Sequence, residues 1–294
     1  MTTQILYLSQ IRTVMPKVEF SRVEQAGGQY NDVVIVNREW IFRFPRYREA
    51  VNMLAAETRL LESLRGRLPL PIPDPIYQKF DPPVPGLAFT GYRSLPGEPF
   101  LREALEAVRD EWVREDLASQ LARFLRSLHA IPPQEVNLAQ LRAADGRAEW
   151  EAMYAEIRSK LYPAMRPDAR KQVTEHFEAY LDDLRLHGFT PCLRHGDFGG
   201  PNILWDPRKG AVTGVIDFSF CALGDPAADL ASISTQGEDF FARLAPRYEP
   251  DDAKRAALLA RARFYRGTFA LSEALDGLRL SDPEAYRRGM EEYV

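Results

Sequence analysis

Cysteine is scarce: Cys192 and Cys221 are the only two in 294 residues. That is too few for a disulfide framework, and there is no CxxC spacing for zinc. They read instead as buried thiols in a reducing compartment. Long apolar runs are missing too. No stretch reaches the ~20 apolar residues that cross a bilayer. The opening MTTQILYLSQIRTV has neither the basic start nor the apolar length of a signal peptide. A cytoplasmic protein with no membrane partner is therefore expected. Basic excess is the third absence, with 38 Lys and Arg against 42 Asp and Glu, a net charge of −4. A broad basic face for nucleic acid is not implied. What remains is a globular composition, 45% hydrophobic and 27% charged, long enough for one large domain or two lobes.

No internal repeat is evident along the chain. The first ninety residues are rich in strand signals, with one helix. VEFSRVEQ, NDVVIVN and EWIFRFP carry β-branched and aromatic residues, separated by AGGQ and by a tight Asn37-Arg38 turn. REAVNMLAAETRLLESLRG sets Val51, Leu54, Leu61 and Leu64 at helical spacing, with Gly66 at the stop. Residues 69–85 are proline-rich and read as a connector flanking a short edge strand. GLAFTGYRSL is a further strand running into a loop. From about residue 100 long helices dominate. LREALEAVRDEWVREDLASQLARFLRSLHAI gives one or two, and 147–161, 167–186, 226–244, 251–277 and 282–293 are further candidates. The expected fold is α+β with two lobes. An antiparallel sheet with one key helix forms residues 1–93, a mostly helical part forms 94–294, and the hinge falls near 92–96.

RHGDFGGPNILWD, residues 194–206, interrupts the helical part. Gly199, Gly200 and Pro201 forbid a regular helix or central strand there, so the segment is a loop anchored by the strand Ile203-Leu204-Trp205. GVIDFSF then ends an apolar strand at Asp217, and the intervening hairpin returns that aspartate to the loop. Asp197, Asn202 and Asp217 can therefore converge, and hard oxygens of this kind suit magnesium on substrate phosphates. A lone HGD could be a simple Asx turn, and IDF alone is common. The order and spacing together are more specific. The kinase catalytic loop H-R-D-L-x-x-x-N also places Asn seven residues after His, with a metal-binding Asp downstream. Only seven residues separate Asp217 from Asp225, too few for the long activation segment on which protein substrates dock.

HGDFGGPNILWD, VIDFSFCALGDPAADLA and YRSLPGEPF resemble the aminoglycoside phosphotransferase family, antibiotic kinases with a protein-kinase-like fold. WEAMYAEIRSKLYP and FYRGTFALSEALDGL are more narrowly similar to the 2″-aminoglycoside phosphotransferases. The resemblance implies that Asp197 is catalytic, and that Asn202 and Asp217 hold magnesium on the phosphates of ATP or GTP. It implies that Asp225 and Asp229 brace the catalytic loop through backbone amides. Kinases place a lysine on the third strand, paired to a helix glutamate; here Arg43 stands in that place with Glu57 as its partner. Arginine keeps the charge but not the shape, so exchange for lysine is expected to be mild. Gly27 and Gly28 in AGGQYND form either the turn over the phosphates or a plain hairpin turn. Tyr92 falls at the gatekeeper position, and Arg93 to Leu95 form the purine-gripping hinge.

Ser219-Phe220-Cys221 departs from the smaller residues that relatives carry after IDF, and bulk there could reshape the acceptor mouth. An aminoglycoside is a polycation, so acids near Asp197 should receive it. Glu238, Asp239, Glu273 and Asp276 are the candidates, and they are also readable as ordinary solvated acids. His129 reads as a packing or capping histidine. The expectation is a monomeric resistance enzyme that phosphorylates the 2″ hydroxyl of an aminoglycoside. The alternatives are a kinase of another small alcohol (a macrolide, a sugar or an amino alcohol) and a non-catalytic nucleotide-binding pseudokinase.

Overall fold

The computed structural model describes residues 3–136 and 143–294. Five antiparallel strands open the chain: β1 (Val23–Gly27), β2 (Asn31–Val36), β3 (Trp40–Pro45), β4 (Tyr77–Lys79) and β5 (Phe89–Arg93), in the order β1-β2-β3-β5-β4. The β2–β3 turn is the tight one the sequence announces, with φ of 57° at both Asn37 and Arg38. The Glu39 amide donates to Val36 O at 3.0 Å, closing a four-residue turn whose two central residues both have positive φ, a conformation that asparagine adopts readily. The proline-rich connector flanks β4, which lies at the sheet edge.

Alternation along β3 separates its aromatic side chains from its one cation. Trp40, Phe42 and Phe44 point to one face and are buried with Val34, Val36 and Phe89; Arg43, one residue out of phase, must face the other way. Helix α1 (Thr3–Val14) closes the aromatic face, burying Tyr7 and Ile11 and stacking Tyr7 on Phe44 at 4.2 Å between ring centroids. The sequence reading of one helix in this region is thus corrected to two. Tyr7, Ile11 and Met15, all buried, stand four residues apart, so the helical period was present but short. Helix α2 (Arg48–Leu64) buries Val51, Leu54, Leu61 and Leu64 as expected, and also Glu57. It ends where Gly66 turns the chain with φ of 71°.

The second half is mainly helical around one large core. After the short strand β6 (Glu98–Pro99) come α3 (Arg102–Ala107) and α4 (Glu111–His129), then α5 (Arg147–Lys160) and α6 (Pro167–Asp182). Asp110 caps α4 by accepting from the Trp112 amide at 2.8 Å. Four short strands carry the motif: β7 (Cys192–Arg194), β8 (Ile203–Asp206), β9 (Ala211–Val215) and β10 (Ala222–Gly224). The candidate helix 226–244 divides into α7 (Ala227–Ser234) and α8 (Glu238–Tyr248), broken at Gly237, whose φ is 114°. The candidate 251–277 divides at Gly267-Thr268 into α9 (Asp252–Arg266) and α10 (Phe269–Leu280), and α11 (Pro283–Met290) comes last. Among the described residues no helix is long and apolar enough to cross a membrane. Both cysteines are free and buried.

Candidate active site

Strand pairing brings the three oxygen-bearing residues together. β7 leads into His195-Gly196-Asp197, and β10 pairs with it antiparallel, matching Arg194 to Ala222. β8 and β9 pair with Ile203 opposite Val215, and the ladder continues as the Ile216 amide donates to Asn202 O at 2.9 Å. Asp217 therefore comes directly beside Asn202. Its φ of 62° lies in the left-handed region, which aspartate enters more readily than most side chains. Asn202 Nδ2 donates to Asp197 Oδ2 at 2.7 Å and to Asp197 O at 3.0 Å. Between them Phe198 is fully buried and stacked on Phe124, which nails the loop to α4.

Backbone clasps hold this loop. Asp229, fully buried on α7, accepts the His195 amide at 2.8 Å and the Gly196 amide at 2.7 Å. Its other neighbour is His129, with Nε2 at 2.9 Å; His129 Nδ1 lies 2.8 Å from the Tyr248 hydroxyl. Gly196 is required sterically, because its φ is 89° and a Cβ there would lie 2.2 Å from Phe220 O. His195 spends both ring nitrogens on backbone: Nε2 lies 3.1 Å from Ile216 O, and Nδ1 accepts the Asp197 amide at 3.3 Å. That arrangement places the proton on Nε2. Asp225 acts elsewhere. It takes both arms of Arg261 and the Tyr265 hydroxyl, tying α7 to α9 instead of gripping the loop.

The carboxyls of the site are tuned in opposite directions. Burial pushes Asp197 up from the usual carboxylate range. Burial also acts on Asp217 and is the largest single influence, but the Arg43 guanidinium and lesser contributions, the Ser219 hydrogen bonds among them, together outweigh it and hold the carboxyl below that range. Arg43 Nη1 donates to Glu57 Oε1 at 2.6 Å, and Nη2 reaches Asp217 Oδ1 at 3.3 Å. The third-strand cation, the helix glutamate and the IDF aspartate are thus one connected set. Tyr92 is buried beside Arg43, and burial pushes its phenol up to about 12. Just after β5 the Ser94 amide donates to Glu39 O at 2.7 Å, Arg93 lies over the Trp40 ring, and Leu95 packs on Gly214. In the first hairpin the Gly28 amide donates to Asn31 O at 2.9 Å. A Cβ on Gly28 would come within 2.8 Å of that oxygen, so the tight turn needs glycine there.

The profile of the Phosphotransferase enzyme family matches residues 23–265, which include every one of these groups. The chain belongs to this family. Viomycin phosphotransferase of Streptomyces vinaceus is 32% identical over 277 residues, 90% of each chain. Among solved structures, the GDP and kanamycin complex of APH(2″)-IIIa is 26% identical with a TM-score of 0.88, covering 97% of this chain and 96% of that one. A macrolide 2′-phosphotransferase type I superposes with a TM-score of 0.77 at 21% identity, covering 100% and 98%, a likeness of fold alone. The kinase-like α+β architecture expected from the sequence is thereby established.

In this phosphotransferase the four candidate acceptor acids already have partners. Asp239 accepts from Arg243 and Arg114, Glu238 lies 3.5 Å from Arg266, Glu273 pairs with Arg288, and Asp276 with Arg279. Glu238 and Asp239 begin α8, whereas Glu273 and Asp276 lie on α10. An unpaired wall of carboxylates is not what these residues build, because the chain supplies an arginine for each. The sequence reading missed Ser219 as a member of the Arg43 set, having weighed it only for bulk, and missed Asp145, which holds Arg194 at the foot of β7. Asp145 lies in no recognisable motif, and Ser219, although it follows IDF, carries no local signal of its partner Arg43.

The Asp229 clasp has a measurable consequence. Asp229→Ala strands two buried amides and the His129 ring, so unfolding stability should drop by ~3–5 kcal/mol, seen as a lower denaturant midpoint. A loss under ~1 kcal/mol would show that the loop is held by other means.

Proposed function

We propose that this chain transfers the γ-phosphate of ATP or GTP to a hydroxyl of an aminoglycoside, with the 2″ hydroxyl as the target. The observation that carries this reading is the meeting of Asp197, Asn202 and Asp217 at one end of the β8–β9 hairpin, against the Arg43–Glu57 pair. In this reading Asp197 orients the acceptor hydroxyl and takes its proton, while Asn202 Nδ2 keeps the carboxylate in place. Phosphoryl transfer needs such positioning and charge neutralisation more than covalent chemistry.

The donor set fits magnesium. Asn202 commits its Nδ2 to Asp197, which leaves Oδ1 as ligand atom. Asp217 Oδ1 accepts from Arg43 and the Ser219 amide, which leaves Oδ2. No cluster of three or more His, Cys, Asp or Glu able to hold a metal occurs among the described residues. One carboxylate and one carboxamide are the sparse protein share that magnesium accepts when phosphates complete its shell. Bound there, it would offset the triphosphate charge. Residues 1–93 form the nucleotide lobe in this reading and 94–294 the acceptor lobe, with the hinge at 92–96. Gly27 and Gly28 form the turn over the phosphates and Tyr92 the gatekeeper. The Leu95 amide grips the purine, since Ser94 has spent its own on Glu39. Glu238, Asp239, Glu273 and Asp276 would receive ammonium groups by exchanging their arginines.

The kanamycin-bound neighbour supports the aminoglycoside as acceptor. The viomycin phosphotransferase relative, more similar in sequence, favours viomycin as a second acceptor. A kinase assay of kanamycin, gentamicin, viomycin and a macrolide, each with ATP and with GTP, separates them. Turnover of an aminoglycoside with product phosphorylated at 2″ is the expected result; turnover of viomycin or the macrolide alone replaces it. The acceptor KM should rise with salt, because exposed charges are screened beyond ~8–10 Å. A salt-independent KM would remove the four acids from the acceptor site.

A further inference from the structure

Arginine offers five N–H donors in a fixed fork, whereas lysine offers one rotatable ammonium. An arginine on the third strand therefore needs more acceptors around it than a lysine would. The second nitrogen of the fork, Nη2, finds Ser219 Oγ at 2.9 Å, closer than Asp217 Oδ1 at 3.3 Å. The Ser219 hydroxyl then donates its own proton to Glu57 Oε2 at 2.8 Å. The ring closes: Arg43 donates to Glu57 and to Ser219, and Ser219 donates to Glu57. The neighbouring amides join it. Phe218 N donates to Glu57 Oε1 at 3.1 Å and Ser219 N to Asp217 Oδ1 at 3.4 Å. Arg43 and Glu57 are buried, so the bonds between them and to them replace water that those two side chains have lost, while Ser219 and Asp217 are half-buried.

We propose that Ser219 is a positioning residue that makes arginine serviceable at position 43, the two acting as a matched pair. This rests on the phosphotransferase reading above. The hydroxyl takes half of the Arg43 fork and so limits its claim on Asp217. The Asp217 carboxylate then stays available to the magnesium nucleotide. Without the hydroxyl, Nη2 keeps Asp217 as its one remaining side-chain partner in this ring, and Glu57 Oε2 loses its donor. The pairing predicts instead that Arg43→Lys is costly: the three N–H groups of one ammonium do not point in the directions in which the fork serves Glu57, Ser219 and Asp217.

The test is magnesium-dependent binding of ADP and GDP, followed by thermal shift and calorimetry, with nucleotide and acceptor KM measured beside it. Ser219→Ala should weaken magnesium-nucleotide binding about tenfold and raise the magnesium needed, leaving acceptor KM unchanged. Ser219→Thr, which keeps the hydroxyl, should restore binding to within about twofold of the parent, which separates the hydroxyl from packing. Arg43→Lys should weaken binding in the parent and add little in the Ser219→Ala background, since coupled residues are not additive. Parental binding by Ser219→Ala, no recovery in Ser219→Thr, or additive single effects would overturn the pairing. A parent chain with no magnesium-dependent nucleotide binding would overturn the phosphotransferase reading, and the pairing with it.

Discussion

Asp197→Asn should give a folded protein that binds magnesium nucleotide normally and turns over about 10²–10⁴-fold more slowly, the usual contribution of a positioned base. The substitution keeps size and shape. Asn202 Nδ2, now 2.7 Å from Asp197 Oδ2, can donate to the new carboxamide oxygen instead, so the loop should hold its course. The clasp by Asp229 acts on the His195 and Gly196 amides, which the change does not touch. Stability should not suffer, because burial already works against the charged carboxylate at this position. What is lost is the anionic oxygen proposed to align an acceptor hydroxyl and accept its proton. Steady-state kinetics and a nucleotide thermal shift on the same preparation separate the two outcomes. Parental turnover in Asp197→Asn would remove Asp197 from the chemistry.

The readable parts of this fold are those in which one local signal determines one local structure. Asn37-Arg38 could only be a tight turn, and the α2 stripe of Val51, Leu54, Leu61 and Leu64 could only face a core. The loop–strand–turn–strand order from Asp197 to Asp217 was legible for the same reason, since a hairpin returns its ends to one place. What stayed hidden depends on partners distant in sequence. Arg43 meets Ser219 across 176 positions, and no window of sequence contains both. The partners of the acceptor acids were hidden for the same reason. Glu273 reads in isolation as a solvated acid, but its pairing with Arg288 arises from the packing of α11 on α10. The undivided helices over 226–244 and 251–277 failed more simply. Gly237 and Gly267 lie inside apolar-periodic stretches, where the periodic signal outweighed the glycine that breaks each helix.

Asp217→Ala should abolish the magnesium-dependent part of nucleotide stabilisation. A ligand present at 100 times its Kd stabilises the native state by ~2.7 kcal/mol. For a chain of this size ~2–4 °C accompanies each kcal/mol, so the parental shift is several degrees and easy to see disappear. The carboxylate is the sole anionic ligand proposed for the metal, and Arg43 holds it ionised; a methyl group can do nothing for a cation. Two effects must be separated. Position 217 has a φ of 62°, which alanine adopts at a cost of roughly 1–2 kcal/mol, so the apo protein should also melt somewhat lower. Asp217→Asn resolves this, since asparagine tolerates that backbone well and still lacks the charge. Arg43 keeps Glu57 and Ser219 in both variants, so the cleft should not collapse. Loss of the magnesium-dependent shift in both variants, with Asp217→Asn melting near the parent, is the expected pattern. A full magnesium-dependent shift in Asp217→Asn would place the metal elsewhere.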